Sequence, residues 1–176
     1  KEIDAVIIAT EAPAAAHLVP GLSVPASRSA TTWYFLADVP GSQLTGGRPV
    51  LVVDGFGAVL NTVVLTNAAP TYADRGRTLV AATTLGISDD WRRARAHLSR
   101  LYSTDTEHWE LVATYPIEHA LPAMTPPLSI RRPVDLGDGV FVAGDHRDTA
   151  SIQGAMVSGR RAADAVLRHL GHTELP

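Results

Sequence analysis

The sequence contains no cysteine, which excludes disulfides, thiolate metal centres and a cysteine nucleophile. Lys1 is its only lysine, and 15 basic residues stand against 18 acidic ones for a formal net charge of −3. There is thus no basic excess of the kind that engages phosphate backbones, and nucleic acid is not expected as a partner. Arginine carries nearly all the positive charge, a bias that codon preference explains more simply than dedicated anion clamps. No apolar run approaches the roughly 20 residues that span a bilayer. The start, Lys1-Glu2-Ile3-Asp4, lacks the basic-then-apolar order of a signal peptide. With the missing thiols, this points to a cytoplasmic protein.

Several catalytic and nucleotide-binding motifs are also missing. Asp54-Gly55-Phe56-Gly57-Ala58-Val59-Leu60 begins like a Gly-rich dinucleotide fingerprint. Leu60, however, stands at the third glycine position, and the β-branched, strand-like run from Asn61 to Thr66 follows where the fingerprint needs a helix. Asp54-Gly55 reads as hairpin turn chemistry. No Gly-x-Ser-x-Gly elbow offers a serine nucleophile. His146-Arg147-Asp148 has the look of a kinase catalytic loop but lacks its asparagine. His169 and His172 have no acidic or histidine partner nearby in sequence and read as a solvated helix end.

The chain does have 176 residues, 45% of them hydrophobic, enough for one substantial core or two small lobes. Ile3 to Ala9 is a near-continuous apolar run, as in a strand buried on both faces of a parallel sheet. Pro13 suits the first turn of a short helix. The runs 31–36, 49–54, 61–66 and 78–85 are β-rich and separated by Gly, Pro and Asn, which predicts an antiparallel sheet. Ser88 can cap a helix with Trp91, Ala94, Leu98 and Leu101 as its buried stripe. Trp109 to Tyr115 reads as a strand, and Pro116 to Pro133 as a long connection. Val140 to Ala143 is a short buried strand, Gly144 to Ala150 a polar loop, and Ser151 to Leu170 a helix stopped by Gly171. On that helix Ile152, Ala155, Met156, Gly159, Ala162, Ala163, Val166 and Leu170 share an apolar face. The small Gly154, Ala155, Ser158 and Gly159 would let its first two turns approach another surface closely.

This order predicts an α/β plus α+β fold. A returning piece of one α/β domain (1–20) precedes an inserted β-rich lobe (21–133) and a final strand-loop-helix (134–176). Beginning directly in a strand with no methionine, the chain reads as a piece of something longer.

The run from Val140, Val-Phe-Val-Ala-Gly-Asp-His-Arg-Asp-Thr-Ala-Ser-Ile-Gln-Gly-Ala-Met-Val-Ser-Gly-Arg-Arg-Ala-Ala, resembles the C-terminal FAD-binding signature of the amine oxidase and phytoene desaturase superfamily. There a strand ends in Gly-Asp or Gly-Glu and a Gly-Ala-x-x-Ser-Gly helix follows, here Gly144, Asp145, Gly154, Ala155, Ser158 and Gly159. Asp4 to Thr10 is similar to the family strand that returns to the FAD domain, and Ile117 to Pro122 to the stretch before the last FAD-binding segment. The resemblance implies a fragment of a Rossmann-like FAD-binding domain with an inserted substrate-type lobe. It implies Gly144, Asp145, Ser151, Ile152, Gln153, Gly154 and Ala155 as cofactor-binding residues. Asp145 would accept a hydrogen bond from a ribityl hydroxyl, and backbone N–H groups from Ile152 to Ala155 would face the N1 and C2 carbonyl edge of the flavin. A helix N-terminus there stabilises the negative charge that hydride transfer to N5 brings.

The expected function is FAD-dependent oxidation of a small organic substrate, of carotenoid desaturase or isomerase type or of amine or protoporphyrinogen oxidase type. The other reading is a non-catalytic α+β binding or interaction domain. Trp33, Tyr34, Trp109 and Tyr115 are candidates for aromatic walls of a substrate cavity. No metal site and no catalytic acid or base is assigned. Because the Gly-rich βαβ unit is absent from these residues, this chain alone is expected to be inactive, to retain FAD poorly and to self-associate.

Overall fold

Buried and half-buried side chains alternate along strand β2 (Ser27–Ala37). Thr31, Trp33 and Phe35 are buried, while Thr32, Tyr34 and Leu36 are only partly so, the period of a sheet with one face on a core. The structure, a computed structural model, describes residues 3–74 and 76–172. It divides into two units, Ser29–Ala120 and the described residues flanking that segment on both sides.

The first of these is built on a five-stranded sheet in the order β3-β4-β5-β2-β6, with β3 (Leu51–Val53), β4 (Val59–Val64), β5 (Thr78–Leu85) and β6 (Glu110–Pro122). The β2–β5, β4–β5 and β3–β4 pairs are antiparallel, as the turn-punctuated sequence predicts. Two expectations change. β4 stops at Val64, and Leu65–Ala68 turns into a short helix, α3. β6 continues through Pro116 to Pro122, where a connection is expected; it is an edge strand, the place where a missing N–H costs no ladder bond.

Helix α4 (Trp91–Tyr102) lies on the sheet, with Ala94, Leu98 and Tyr102 in one core with Trp33, Phe35, Val80 and Trp109. Its cap is Asp90, whose carboxylate accepts the Arg93 N–H; Ser88 caps the turn before it, accepting from Asp90 N–H. His97 and Tyr102 are buried in the stripe, whereas Trp91 and Leu101 lie at its margin. Hydrogen bonding makes this possible. His97 Nδ1 accepts the Val59 N–H at 3.0 Å, and Nε2 lies 2.9 Å from Asp54. Tyr102 donates to Thr62 Oγ1, which donates in turn to the Ala81 carbonyl. A short helix, α2 (Gly41–Thr45), joins β2 to β3.

In the second unit β1 (Val6–Ile8) pairs in parallel with β7 (Val140–Val142). Among the described residues β1 has a strand neighbour on one side only, so Val6 and Ile7 are 44% and 43% exposed and not buried as the sequence predicts. Helix α1 (Ala12–Leu18) carries Pro13 in its first turn, as expected. Helix α5 (Ile152–His169) packs Ala162 and Ala165 against Val134, Phe141 and Ala143. Gly171 ends it at φ +84°, and the His172 N–H reaches back to the Leu167 carbonyl.

The buried face of α5 differs from the expected one. Gly154, Ser158, Ala162 and Ala165 are buried, while Ile152 and Met156 are 78% and 70% exposed. Close approach selects the smallest side chains for the contact, and the longer apolar ones turn outward.

Candidate functional site

The site begins where β7 ends. Gly144 has φ +149°, a conformation that side chains rarely adopt. A Cβ there would also overlap the His146 imidazole. Ser158, fully buried on α5, accepts the Gly144 N–H at 2.9 Å, and its hydroxyl lies 2.7 Å from the Gly144 carbonyl. This serine fastens the end of the strand to the second turn of the helix.

Residues 145–150 form a polar loop that opens with a 3-10 turn at Asp145–Arg147. Arg161 on α5 holds it, reaching the Asp148 carboxylate at 3.2 Å and the Arg147 carbonyl at 3.3 Å. Arg147 is buried and donates to the carbonyls of Ser23 and Pro133. Asp145 is left partly exposed, and its carboxylate accepts no hydrogen bond among the described residues.

Ser151 caps α5. Its hydroxyl accepts the Gly154 N–H and its carbonyl the Ala155 N–H, while Thr149 Oγ1 lies 2.9 Å from Ser151 Oγ. Of the four N–H groups expected to face a ligand, Gly154 and Ala155 are therefore engaged within the cap. Those of Ile152 and Gln153 have no partner among the described residues and sit at the exposed, positive end of an 18-residue helix. Gly154 itself is a packing residue: a Cβ on it would overlap the Thr149 carbonyl oxygen. The surroundings of Gly159 are open.

A cavity of about 190 Å³ borders the loop, and its lining includes the charged Arg132, Asp145 and Asp148 as well as the apolar Pro122, Met124 and Leu128. The arrangement combines an open carboxylate, two unpaired N–H donors at a helix start and a mixed polar and apolar cavity.

The family model for flavin containing amine oxidoreductases matches residues 1–167. This chain belongs to that family. Among solved structures, an oxidoreductase from Methanosarcina mazei is 15% identical with a TM-score of 0.60, covering 93% of this chain and 43% of its own. A protein from Pyrococcus furiosus is 12% identical with a TM-score of 0.59, covering 100% of this chain and 43% of its own. The likeness is one of fold, and the chain spans less than half the length of either structure. No curated protein matches it. No helix among the described residues is long and apolar enough to cross a membrane.

Placed in the amine oxidoreductase family, the seven expected site residues fall into two groups. Asp145, Ile152 and Gln153 present free polar groups, whereas Gly144, Ser151, Gly154 and Ala155 build the junction that holds them. Residues not anticipated from sequence include His146, Thr149 and Arg161. Two of these lie in or beside the His-Arg-Asp run that looks like a kinase loop in sequence and is here a buried structural turn.

Burial above all, then the adjacent Arg147 and more weakly Arg132, holds the His146 imidazole below its ordinary pKa, with Asp145 pulling the other way. Below about pH 6.5 an unfolded chain therefore takes up a proton that the folded site resists. Stability contributed by this group is full above that pH and falls as the solution is acidified. His146→Asn should flatten the loss between neutral and mildly acidic pH, measured by chemical denaturation; parallel pH profiles would show that His146 is not the group responsible.

Proposed function

We propose that this chain is the flavin-contacting part of an FAD-dependent oxidoreductase acting on an organic substrate. The observation that supports it most is the pair of unpaired N–H groups at Ile152 and Gln153, set on a helix start fastened by Ser158 to the loop bearing Asp145. These donors suit the carbonyl edge of a flavin, and the open Asp145 carboxylate suits a ribityl hydroxyl. Bound FAD would supply the redox chemistry, receiving a hydride from a C–H or C–N bond of the substrate. The protein's part is to fix the ring against the helix start, so that charge developing on the carbonyl edge meets preoriented donors.

In this reading 1–20 and 134–176 belong to the FAD-binding domain and 21–133 forms the substrate-type lobe. The four aromatic residues divide accordingly. Trp33 and Trp109 are core, while Tyr34 and Tyr115 meet edge to face at 5.7 Å beside an apolar groove with Leu79, Val112 and Ile117. That groove carries no charged side chain, which favours an uncharged apolar substrate moiety.

The full-length protein should purify yellow and release FAD on denaturation. A colourless protein that cannot be reconstituted with FAD would remove the reading. Within it, Asp145→Ala should weaken FAD binding by about 1.5–3 kcal/mol through loss of a charge-assisted hydrogen bond. Titration of the apoprotein checks this, and unchanged affinity would make Asp145 a loop acid only.

A further inference from the structure

His146 is 1% exposed, and neither ring nitrogen has a hydrogen-bond partner among the described residues. A neutral imidazole has one donor and one acceptor, and leaving them unpaired in the interior is unfavourable. His97 shows what a satisfied buried histidine looks like in this protein, with Val59 on one nitrogen and Asp54 on the other. The place of His146 is nonetheless fixed, because its ring packs against Gly144 where no Cβ would fit. It borders the same cavity as Asp145 and Arg132, and its Nδ1 lies 3.8 Å from Asp145 Oδ1, just beyond hydrogen-bond reach. A modest turn of the partly exposed carboxylate would close that gap. The donor needed is an N–H on Nδ1, which the neutral ring provides in one tautomer. Arg147 and Arg132 nearby oppose the doubly protonated ring.

We propose that His146 is the positioning residue of Asp145: its Nδ1–H holds one carboxylate oxygen while the other accepts a hydroxyl of the bound polyol chain. This rests on the FAD reading, the polyol being the ribityl group. The imidazole thereby selects the carboxylate rotamer that binds, without itself touching the cofactor. The orphaned Nδ1, one of the two unpartnered ring nitrogens, is then the mark of a contact that forms on binding.

Asparagine places an N–H near the position of Nδ1, and glutamine places one near Nε2, so the two variants separate the donor from the bulk. In the full-length protein, fluorescence titration of apoprotein with FAD should give wild-type affinity for His146→Asn. For His146→Gln it should be weaker by about tenfold, the size of one charge-assisted hydrogen bond. In an Asp145→Ala background both variants should bind alike, since the group they position is gone. Equal affinities of the two single variants would overturn the inference. So would a His146→Gln loss that persists without Asp145, which marks a purely structural role. A wild-type protein that takes up no flavin would instead overturn the FAD reading, and this inference with it.

Discussion

Gly154→Ala is expected to destabilise the protein, while the same change at Gly159, further along the same helix, stabilises it. In a helix interior alanine is favoured over glycine by about 1 kcal/mol. At Gly159 that gain is unopposed, because a new methyl group meets nothing within 4 Å. At Gly154 it would overlap the Thr149 carbonyl oxygen and stand 2.6 Å from Thr149 Oγ1. A backbone oxygen cannot rotate aside, so the whole 149–151 segment must move. That segment carries the cap: Ser151 N–H donates to the Thr149 carbonyl at 2.7 Å, and Ser151 Oγ takes the Gly154 N–H at 3.0 Å. Overpacking costs about 1–3 kcal/mol and a lost cap about 1 kcal/mol, so the clash outweighs the propensity. Denaturant melts should place the two variants on opposite sides of wild type. FAD affinity should fall for Gly154→Ala alone, because the N–H groups of Ile152 and Gln153 move with the cap. Equal stabilisation by both changes would mean that the helix start does not pack as described.

What is legible in the sequence depends on whether the cause is local. The β5 strand and the Gly171 stop can be read because a β-rich run between turn signals and a left-handed glycine act within a few residues of themselves. The same local logic separates Asp54-Gly55 from a dinucleotide fingerprint, since a strand follows it. What escapes is decided by distant partners. Nothing near His97 in sequence announces that Val59 and Asp54 will satisfy it, so a polar residue falls outside the stripe expected for α4. Pro116 lies inside β6 only because that strand is at the edge. The face of α5 differs from expectation because hydropathy favours Ile152 and Met156, whereas a close helix-loop contact favours Gly154 and Ser158. In the candidate site, Gly144, Asp145 and the Gly-Ala-x-x-Ser-Gly helix are legible as a run. The tie from Ser158 to Gly144 and the hold of Arg161 on Asp148 span 14 and 13 residues and need the fold.

Residues 1–176 prepared alone are expected to bind FAD far more weakly than the full-length protein and to self-associate. The donors in these residues address the flavin and ribityl half of the cofactor: Ile152, Gln153 and Asp145. The pyrophosphate and adenosine half is ordinarily held by a Gly-x-Gly-x-x-Gly turn at the start of a helix, and these residues contain no such turn. Leaving that half of the cofactor without protein partners weakens binding steeply, since about 1.4 kcal/mol changes affinity tenfold. The apolar surface argues in the same direction. Ile3 is 76% exposed, Val6 and Ile7 of β1, which has an open edge among the described residues, are more than 40% exposed, and Ile152 and Met156 project from α5. An unpaired strand edge beside exposed aliphatic side chains is a template for association with another copy. Equilibrium dialysis against FAD and light scattering across a concentration series test the two halves of this expectation. Stoichiometric, tight FAD uptake by a monomer would show that the strand-loop-helix and its companions form a complete cofactor-binding module on their own.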